Sequence, residues 1–347
     1  MVTTPIAANY VLLSAGEFVA KLLAVLAFTH LGRVLGPNHY GSLEFGLAAL
    51  IFFSLPVDLG LGTYGAREIA RNPGSISSLM SEISALRFLL ACISFTVLLL
   101  LLAVSPETSQ SKPLLALLGL SLFFAPALLQ WVFQGQDQMH WVAWASIIRQ
   151  TVFAGFVVLF VRSDQSILLA AAAECVAVLC TALFCLIVAN TRMNLALQLP
   201  RWSPKALLLH LRESSPIGLS EFCWAALWYS PTVALGLFVS DRSLGWFGAS
   251  HRCLTSLHSF VYLYFFNLLP AFSRCASQPN DQFVTLVRSS LGGVAWAGLF
   301  VALLGTLLSG EIMRLLYGPA FGEGAVVFSL LVWVIPVTLI GGISATL

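Results

Sequence analysis

Charge is scarce in this sequence. Of 347 residues only 9% are Asp, Glu, Lys or Arg, against about 25% in an ordinary soluble domain. So small an allowance cannot cover the surface of a soluble particle of this size, which excludes a soluble enzyme and a disordered chain. What charge there is nearly cancels. Lys and Arg number 17 and Asp and Glu 15, leaving +2; with no basic stripe, no nucleic-acid partner is expected. Cysteine is unpatterned. Cys92, Cys175, Cys180, Cys185, Cys223, Cys253 and Cys275 include no C-x-x-C pair, and all but one sit in apolar runs. They read as small buried hydrophobes, neither a disulfide framework nor zinc ligands. A Walker A lysine, an H-E-x-x-H helix, a nucleophile elbow and an N-x-S/T sequon are all missing. Gly60 to Gly65 spell G-x-G-x-x-G, but the motif closes an apolar helix and no strand precedes it. No catalytic residue, cofactor or metal is therefore expected, and the chain does not read as an enzyme.

Apolar residues are abundant: 59% of the chain, with mean hydropathy +0.91. A crossing takes about 20 such residues, and the sequence offers about ten segments. They run Tyr10 to Leu31, Ser42 to Tyr64, Ile83 to Val104, Leu114 to Gln134, Trp141 to Val161, Ile167 to Ala189, Pro216 to Val239, Leu244 to Phe272 and Phe283 to Leu308, with a tenth starting near Gly324. In lipid a lone strand would leave its backbone unpaired, so the expected class is an all-α polytopic membrane protein. Most connections are tight turns. The exception, Asn190 to Glu213, holds Arg192, Arg201, Lys205 and Arg212 and reads as a cytoplasmic linker. With the N-terminus inside, the inner connections hold these four plus Arg67, Arg71 and Arg274. The outer ones hold Arg33, Lys112, Arg162, Arg242 and Arg314. The excess of basic residues on one side sets the N-terminus in the cytoplasm. Trp131, Trp141, Trp144 and Trp246 fall near span ends, as interfacial anchors do.

Gly16-Glu17-Phe18 in the first segment has a counterpart in Ser220-Glu221-Phe222 of the seventh, and the turns after both segments carry an L-G pair. Two like-oriented bundles follow: residues 1–190 with six helices, a linker over 191–213, and 214–347 with four helices. The second bundle is expected to stop about two helices short. Paired repeats are common in transporters, with the site between them.

An ionised side chain inside a span costs about 2.5–3.5 kcal/mol, so each one is a candidate for function. Glu17 and Lys21 sit four apart on one helix face, where they can pair or line a cavity. Arg149 and Glu174 lie on neighbouring segments and differ in depth by about five residues, roughly 7–8 Å. They can form a buried pair, or Arg149 can meet a phosphate through a two-pronged contact. His251, Thr255 and His258 follow i, i+4, i+7 beside Arg252 and suggest a wet cationic wall. Glu221 occupies the position that Glu17 has in the first repeat. Lys21, Arg149, His251, Arg252 and His258 are thus candidate substrate contacts; Glu17, Glu174 and Glu221 are candidate ion-coupling groups. Asp58 reads as a structural acid near the inner surface, with Arg67 or Arg71 as partner; Glu44 is less informative.

The stretch Leu31-Gly32-Arg33-Val34-Leu35-Gly36-Pro37-Asn38-His39-Tyr40-Gly41 resembles the L-x-R-x-L-G-P-x-x-Y-G signature of the polysaccharide-biosynthesis flippases. These are repeat-unit translocases of the multidrug/oligosaccharidyl-lipid/polysaccharide exporter superfamily. Val57 to Gly62 followed by Arg67-Glu68-Ile69-Ala70-Arg71, then Trp131 to Gly135, Leu268 to Arg274 and Leu316 to Phe321, resemble later family segments in family order. Two departures stand out: the stretch Tyr229 to Gly236 lacks an acid that members often carry, and members have twelve or more helices. The resemblance implies a MATE-like two-bundle fold in a bacterial inner membrane. It implies translocation of a polyprenyl-diphosphate-linked oligosaccharide by alternating access, among membrane lipids and other polysaccharide-assembly membrane proteins. A drug–cation antiporter of the same superfamily, a membrane glycosyltransferase or polymerase of the pathway, and a non-transporting remnant are the alternatives.

Overall fold

The computed structural model describes residues 6–104, 111–195, 203–275 and 280–346, and these are helical almost throughout. The helices are α1 (Ile6–Asp58), α2 (Leu61–Arg71), α3 (Ile76–Val104), α4 (Ser111–Gly119), α5 (Gln130–Gly135), α6 (Met139–Phe160) and α7 (Ile167–Met193). They continue with α8 (Pro204–Phe238), α9 (Asp241–Cys275), α10 (Asn280–Leu307), α11 (Ser309–Tyr317), α12 (Gly324–Leu331) and α13 (Val334–Thr346). Among the described residues five stretches are long and apolar enough to cross a bilayer: Leu13–Arg71, Pro73–Val104, Lys112–Gly135, Met139–Phe160 and Ile167–Met193. The pair Ala295–Leu307 and Ser309–Tyr317, bent by 70°, makes a sixth if counted as one span. The first stretch has 59 residues. Straight, it would be about 90 Å long, three times the hydrocarbon thickness. It therefore serves two crossings. Helices α8 and α9, 35 residues each, have the length for segments seven and eight.

The breaks lie where glycine or proline removes a constraint. Gly36 adopts φ 68°, ψ 171° and splits α1 into arms of residues 6–35 and 37–58. Leu59 and Gly60 both have positive φ and separate α1 from α2, a conformation glycine tolerates without strain. Segment four is not the single helix expected from Leu114 to Gln134. Pro126 has no N–H for the Leu122 carbonyl, and α4 passes through two 3₁₀ turns, Leu120–Phe123 and Ala125–Ala127, before α5. Segment ten is likewise two helices, α12 and α13. Helix α8 begins at Pro204, a residue suited to a first helical turn, so 204–213 of the expected linker is helical. Residues 196–202 of that linker, and Leu347, lie outside the described residues. The stretch 268–274 lies on the α9 backbone, with its side chains outside the described set.

The chain divides into two compact units. The first comprises residues 1–35 and 42–240. Its core joins Leu61, Tyr64 and Ile69 of α2 to Met80, Ile83 and Leu86 of α3, Trp131 to Phe133 of α5, and Cys185 and Val188 of α7. The 6–35 arm of α1 runs alongside α6 in the same direction. Gly16 is opposite Ala143, Glu17 bonds Ser146, Phe28 packs on Phe153, and His30 Nε2 meets the Val161 carbonyl at 3.1 Å. Parallel packing is what first and fifth crossings require. Helix α8 runs antiparallel to the 42–71 stretch: Gly236 against Phe45, Phe222 against Phe52 (ring centroids 6.0 Å apart), Gly218 against Leu59 and Gly60. Pro216 leaves the Arg212 carbonyl without its helical donor, and Ser215 Oγ donates to that oxygen at 3.2 Å.

The second unit takes residues 36–41 together with 241–347. At its centre the Tyr40 ring, fully buried, sits edge-on to Tyr317 and Phe321, 5.7 Å from each. The Trp246 indole donates to the Ala320 carbonyl at 3.0 Å. A Cβ on Gly41 would collide with the Asp241 carbonyl, and one on Gly245 with the Pro37 carbonyl, so the 36–41 turn meets the start of α9 backbone to backbone. Gly245→Ala is expected to destabilise by about 1–3 kcal/mol, the usual cost of overpacking. Gly310→Ala on α11, where a Cβ meets nothing within 4 Å, is expected to be neutral or slightly stabilising. Thermal unfolding in detergent measures both.

Candidate functional site

Several charged side chains in the first unit draw a partner from another helix. Arg149 on α6 and Glu174 on α7 meet at 2.5 Å, Nη2 to Oε1. The turn between the two helices is short, which brings these residues together as their depths suggested. Glu174 is 15% exposed and the Arg149 side chain as a whole 40%, with its Nε buried. Its Nε, together with Gln150 Oε1, has no hydrogen-bond partner among the described residues. Glu17 does not take its partner from Lys21. Its Oε1 accepts from Ser146 Oγ at 2.7 Å, no ion pair joins it to Lys21 among the described residues, and Lys21 is exposed.

Asp58 also differs from the expectation. It pairs with Arg87 of α3, a residue the sequence reading did not single out. Arg67 and Arg71 pair instead with Glu68, at 3.6 and 3.2 Å. Arg87 is 7% exposed. Its guanidinium lies 5.8 Å from the Trp131 ring, an attractive cation–π geometry. Trp131 is thus no interfacial anchor: it is buried, and its ring packs so closely on Gly65 that a Cβ there would collide. Glu221 on α8 is near enough to act electrostatically on Arg87, and its Oε1 accepts from Thr63 Oγ1 at 3.2 Å. Nearby, Tyr64, His210, Glu82 and Ser78 form a hydrogen-bonded chain across α2, α8 and α3. Beside these groups an open groove of about 510 Å³ is lined by Leu55, Pro56, Leu59, Pro216, Leu219 and Phe222, among others. Its lining suits a hydrocarbon chain more than a hydrated headgroup.

In the second unit His251, Arg252 and His258 lie on the unbroken helix α9. The His251 ring stacks on Phe247, 5.7 Å between centroids and 10° between planes. His258 is buried. The Arg252 carbonyl accepts from Thr255 and Ser256 at 3.1 and 2.8 Å. Thr255 and Ser256 thereby turn their hydroxyls back onto the helix backbone.

A family model described as polysaccharide biosynthesis protein matches residues 6–276. A protein of Escherichia coli (strain K12) described as "Putative O-antigen transporter" is 22% identical over 338 residues, spanning 93% of this chain and 78% of that one. Among solved structures, an inward-facing multidrug resistance MATE family transporter of the MOP superfamily superposes with TM-score 0.69 at 13% identity, over 97% of this chain and 83% of its own. A MOP superfamily transporter from Pyrococcus furiosus, whose description speaks of a binding pocket of reverse polarity, superposes with TM-score 0.52 at 12% identity, over 97% and 93%. At such identities the structures establish the fold, which is MATE-like.

The Asp58–Arg87 pair sets a measurable cost. Asp58→Asn leaves a buried guanidinium uncompensated and is expected to destabilise by about 2–3 kcal/mol, toward the low end for a buried pair because Asp58 is 35% exposed. Asp58→Asn combined with Arg87→Gln is expected to cost less than the sum of the two single substitutions. Melting of the four proteins in detergent gives the coupling.

Proposed function

The chain belongs to the polysaccharide biosynthesis protein family, a membrane transporter family of the MOP superfamily, and from that premise we propose that it translocates a polyprenyl-diphosphate-linked oligosaccharide across a bacterial inner membrane. The chain is a multi-pass membrane protein of a family of transporters, not enzymes. The observation that carries the proposal is the family match over residues 6–276, most of the chain. The extended likeness to the E. coli protein described as an O-antigen transporter supports the class of cargo.

The physical task fits the fold. An isoprenoid tail stays in lipid at no cost, whereas a diphosphate and a hydrated glycan cannot enter hydrocarbon unaided. The protein has only to offer the head water, cations and hydroxyls in turn on each side. Alternating access is the proposed route; inward- and outward-facing forms of a MATE family transporter both share this fold. Arg149 is the proposed phosphate contact in the first unit, because its side chain is partly exposed and Glu174 fixes its orientation. Lys21 in the first unit, and His251, Arg252 and His258 in the second, are further proposed headgroup contacts. Glu17, Glu174 and Glu221 are proposed to couple ions to the movement. The N-terminus is proposed to lie in the cytoplasm, on the strength of the basic residues clustered between 192 and 212.

Reconstitution in vesicles with a labelled polyprenyl-linked glycan tests the proposal, reading exposure of the head on each face with time. Movement well above protein-free vesicles is expected. Arg149→Ala is expected to slow it about ten- to a hundredfold, the worth of a charged hydrogen-bonded contact, with the protein still monodisperse. Transport absent from the native chain refutes the function; an unchanged rate in Arg149→Ala removes that residue from the cargo path.

A further inference from the structure

The group that the transport reading leaves unused is the chain Tyr64–His210–Glu82. His210 lies near the start of α8, before segment seven begins. It is buried against α2 and α3. Both ring nitrogens are engaged: Nδ1 with Tyr64 Oη at 3.1 Å, and Nε2 with Glu82 Oε2 at 2.9 Å. The other Glu82 oxygen accepts from Ser78 Oγ at 2.9 Å. Three helices distant in sequence meet at one imidazole. We propose that His210, with Glu82 and Tyr64, is a proton-binding site whose occupancy fastens the head of α8 to α2 and α3. The site rests on its own geometry; only the purpose of the movement rests on the transport reading.

The chemistry follows from which atoms donate. In the neutral imidazole, Nε2–H donates to Glu82 and Tyr64 Oη–H donates to Nδ1. In the imidazolium, Nδ1–H donates and Tyr64 Oη accepts. The hydroxyl rotates, so gaining a proton costs no hydrogen bond on either side. It turns the contact with Glu82 from a hydrogen bond involving one charge into an ion pair, which is stronger. Histidine is the side chain whose charge ordinarily changes between about pH 5 and 8.

The surrounding charges come from every helix packed there. The charged residues near the site along the three helices are Arg67, Glu68 and Arg71 on α2, Glu82 and Arg87 on α3, and Lys205, Arg212 and Glu213 on α8, with Arg67 5.8 Å over the Tyr64 ring. The added charge on the ring faces Glu82 directly, so protonation tightens the latch and deprotonation loosens it.

The mechanical setting makes such a latch consequential. Six residues beyond His210, Pro216 interrupts the α8 ladder, and only a hydroxyl–carbonyl bond from Ser215 replaces the lost bond. Helices bend at such places. On this proposal the segment before Pro216, which also packs Leu207 and Leu211 on the core, moves about that joint while the later part of α8 stays packed on Phe45 and Phe52.

The test is a distance between the head of α8 and the end of α2, read by pulsed spectroscopy with probes on noncanonical residues at exposed Lys205 and Asn72 of the full chain. The native protein is expected to shift from the near to the far population by about fivefold or more as pH rises from about 5 to about 8. His210→Gln, whose amide can still bond both neighbours, is expected to abolish the shift. Glu82→Gln removes the ion pair by the other partner and is expected to do the same, which covers a failure of the first variant to fold. A native distance that ignores pH, or a full response in either variant, overturns the proposal. The readout needs no glycan: a pH-driven distance without glycan movement would sink the transport reading alone, and glycan movement with a pH-independent distance would sink the proton site alone.

Discussion

The constraint that organises the first unit is the cost of leaving an ionised side chain without company in an apolar interior. The chain meets it by giving several of these charges a partner on a different helix. Arg149 on α6 takes Glu174 on α7, and Arg87 on α3 takes Asp58 at the end of α1. Glu17 takes a hydroxyl from α6, and Glu221 one from α2. Such contacts lock the axial register between helices more narrowly than Leu and Val side chains can, because a polar pair displaced by one turn would be unmade. The apolar packing supplies the bulk of the attraction; the few charges decide which heights coincide.

The same economy explains where the helices are interrupted. Gly60 and Gly218 allow α8 to approach the α1–α2 break so closely that a Cβ on either would strike the other backbone. That approach brings Thr63 to Glu221 and Tyr64 to His210. An unbroken helix over 42–71 would carry residues 61–71 onward along the α1 axis, away from their present contacts. The break is a positioning device, and its positive-φ pair Leu59–Gly60 is the local signal of it.

How much of this could be read from the sequence depended on how far apart the partners are along the chain. The Arg149–Glu174 contact was legible because a short turn joins their helices and depth can be counted from it. The all-helical class and the two-armed start were legible from hydropathy and from Gly36. Asp58 was assigned the wrong class of neighbour because counting along the chain favours Arg67 and Arg71, which follow it closely. The actual partner, Arg87, lies on the antiparallel helix α3, where Ser94 Oγ also donates to the Phe53 carbonyl at 2.6 Å. One signal was available: an Arg in an apolar stretch needs a counter-charge at its own depth. Trp131 was misplaced for a related reason, since nearness to a span end says nothing about which side of the helix is buried. His210 was invisible because residues 204–213 read as linker, and Glu82 because it falls just before the third segment.

The signature that carried the family resemblance has a physical explanation in the second unit. In the sequence, the L-G-P-x-x-Y-G run and the later Y-G-x-x-F run are separate marks. In the structure Tyr40 from the first sits between Tyr317 and Phe321 from the second. Gly36 supplies the kink, and Gly41 and Gly245 remove the side chains that would hold the turn away from α9. Each named residue thus has one job that few others can do. A ring at Tyr40 fills a space shaped by two other rings, where a truncation would leave a cavity worth several kcal/mol. Gly41 and Gly245 stand where any Cβ collides with backbone, which cannot yield as a side chain can. The motif is therefore evidence of how the fold closes on itself. A packing motif of this kind fixes the fold and does not itself touch a cargo.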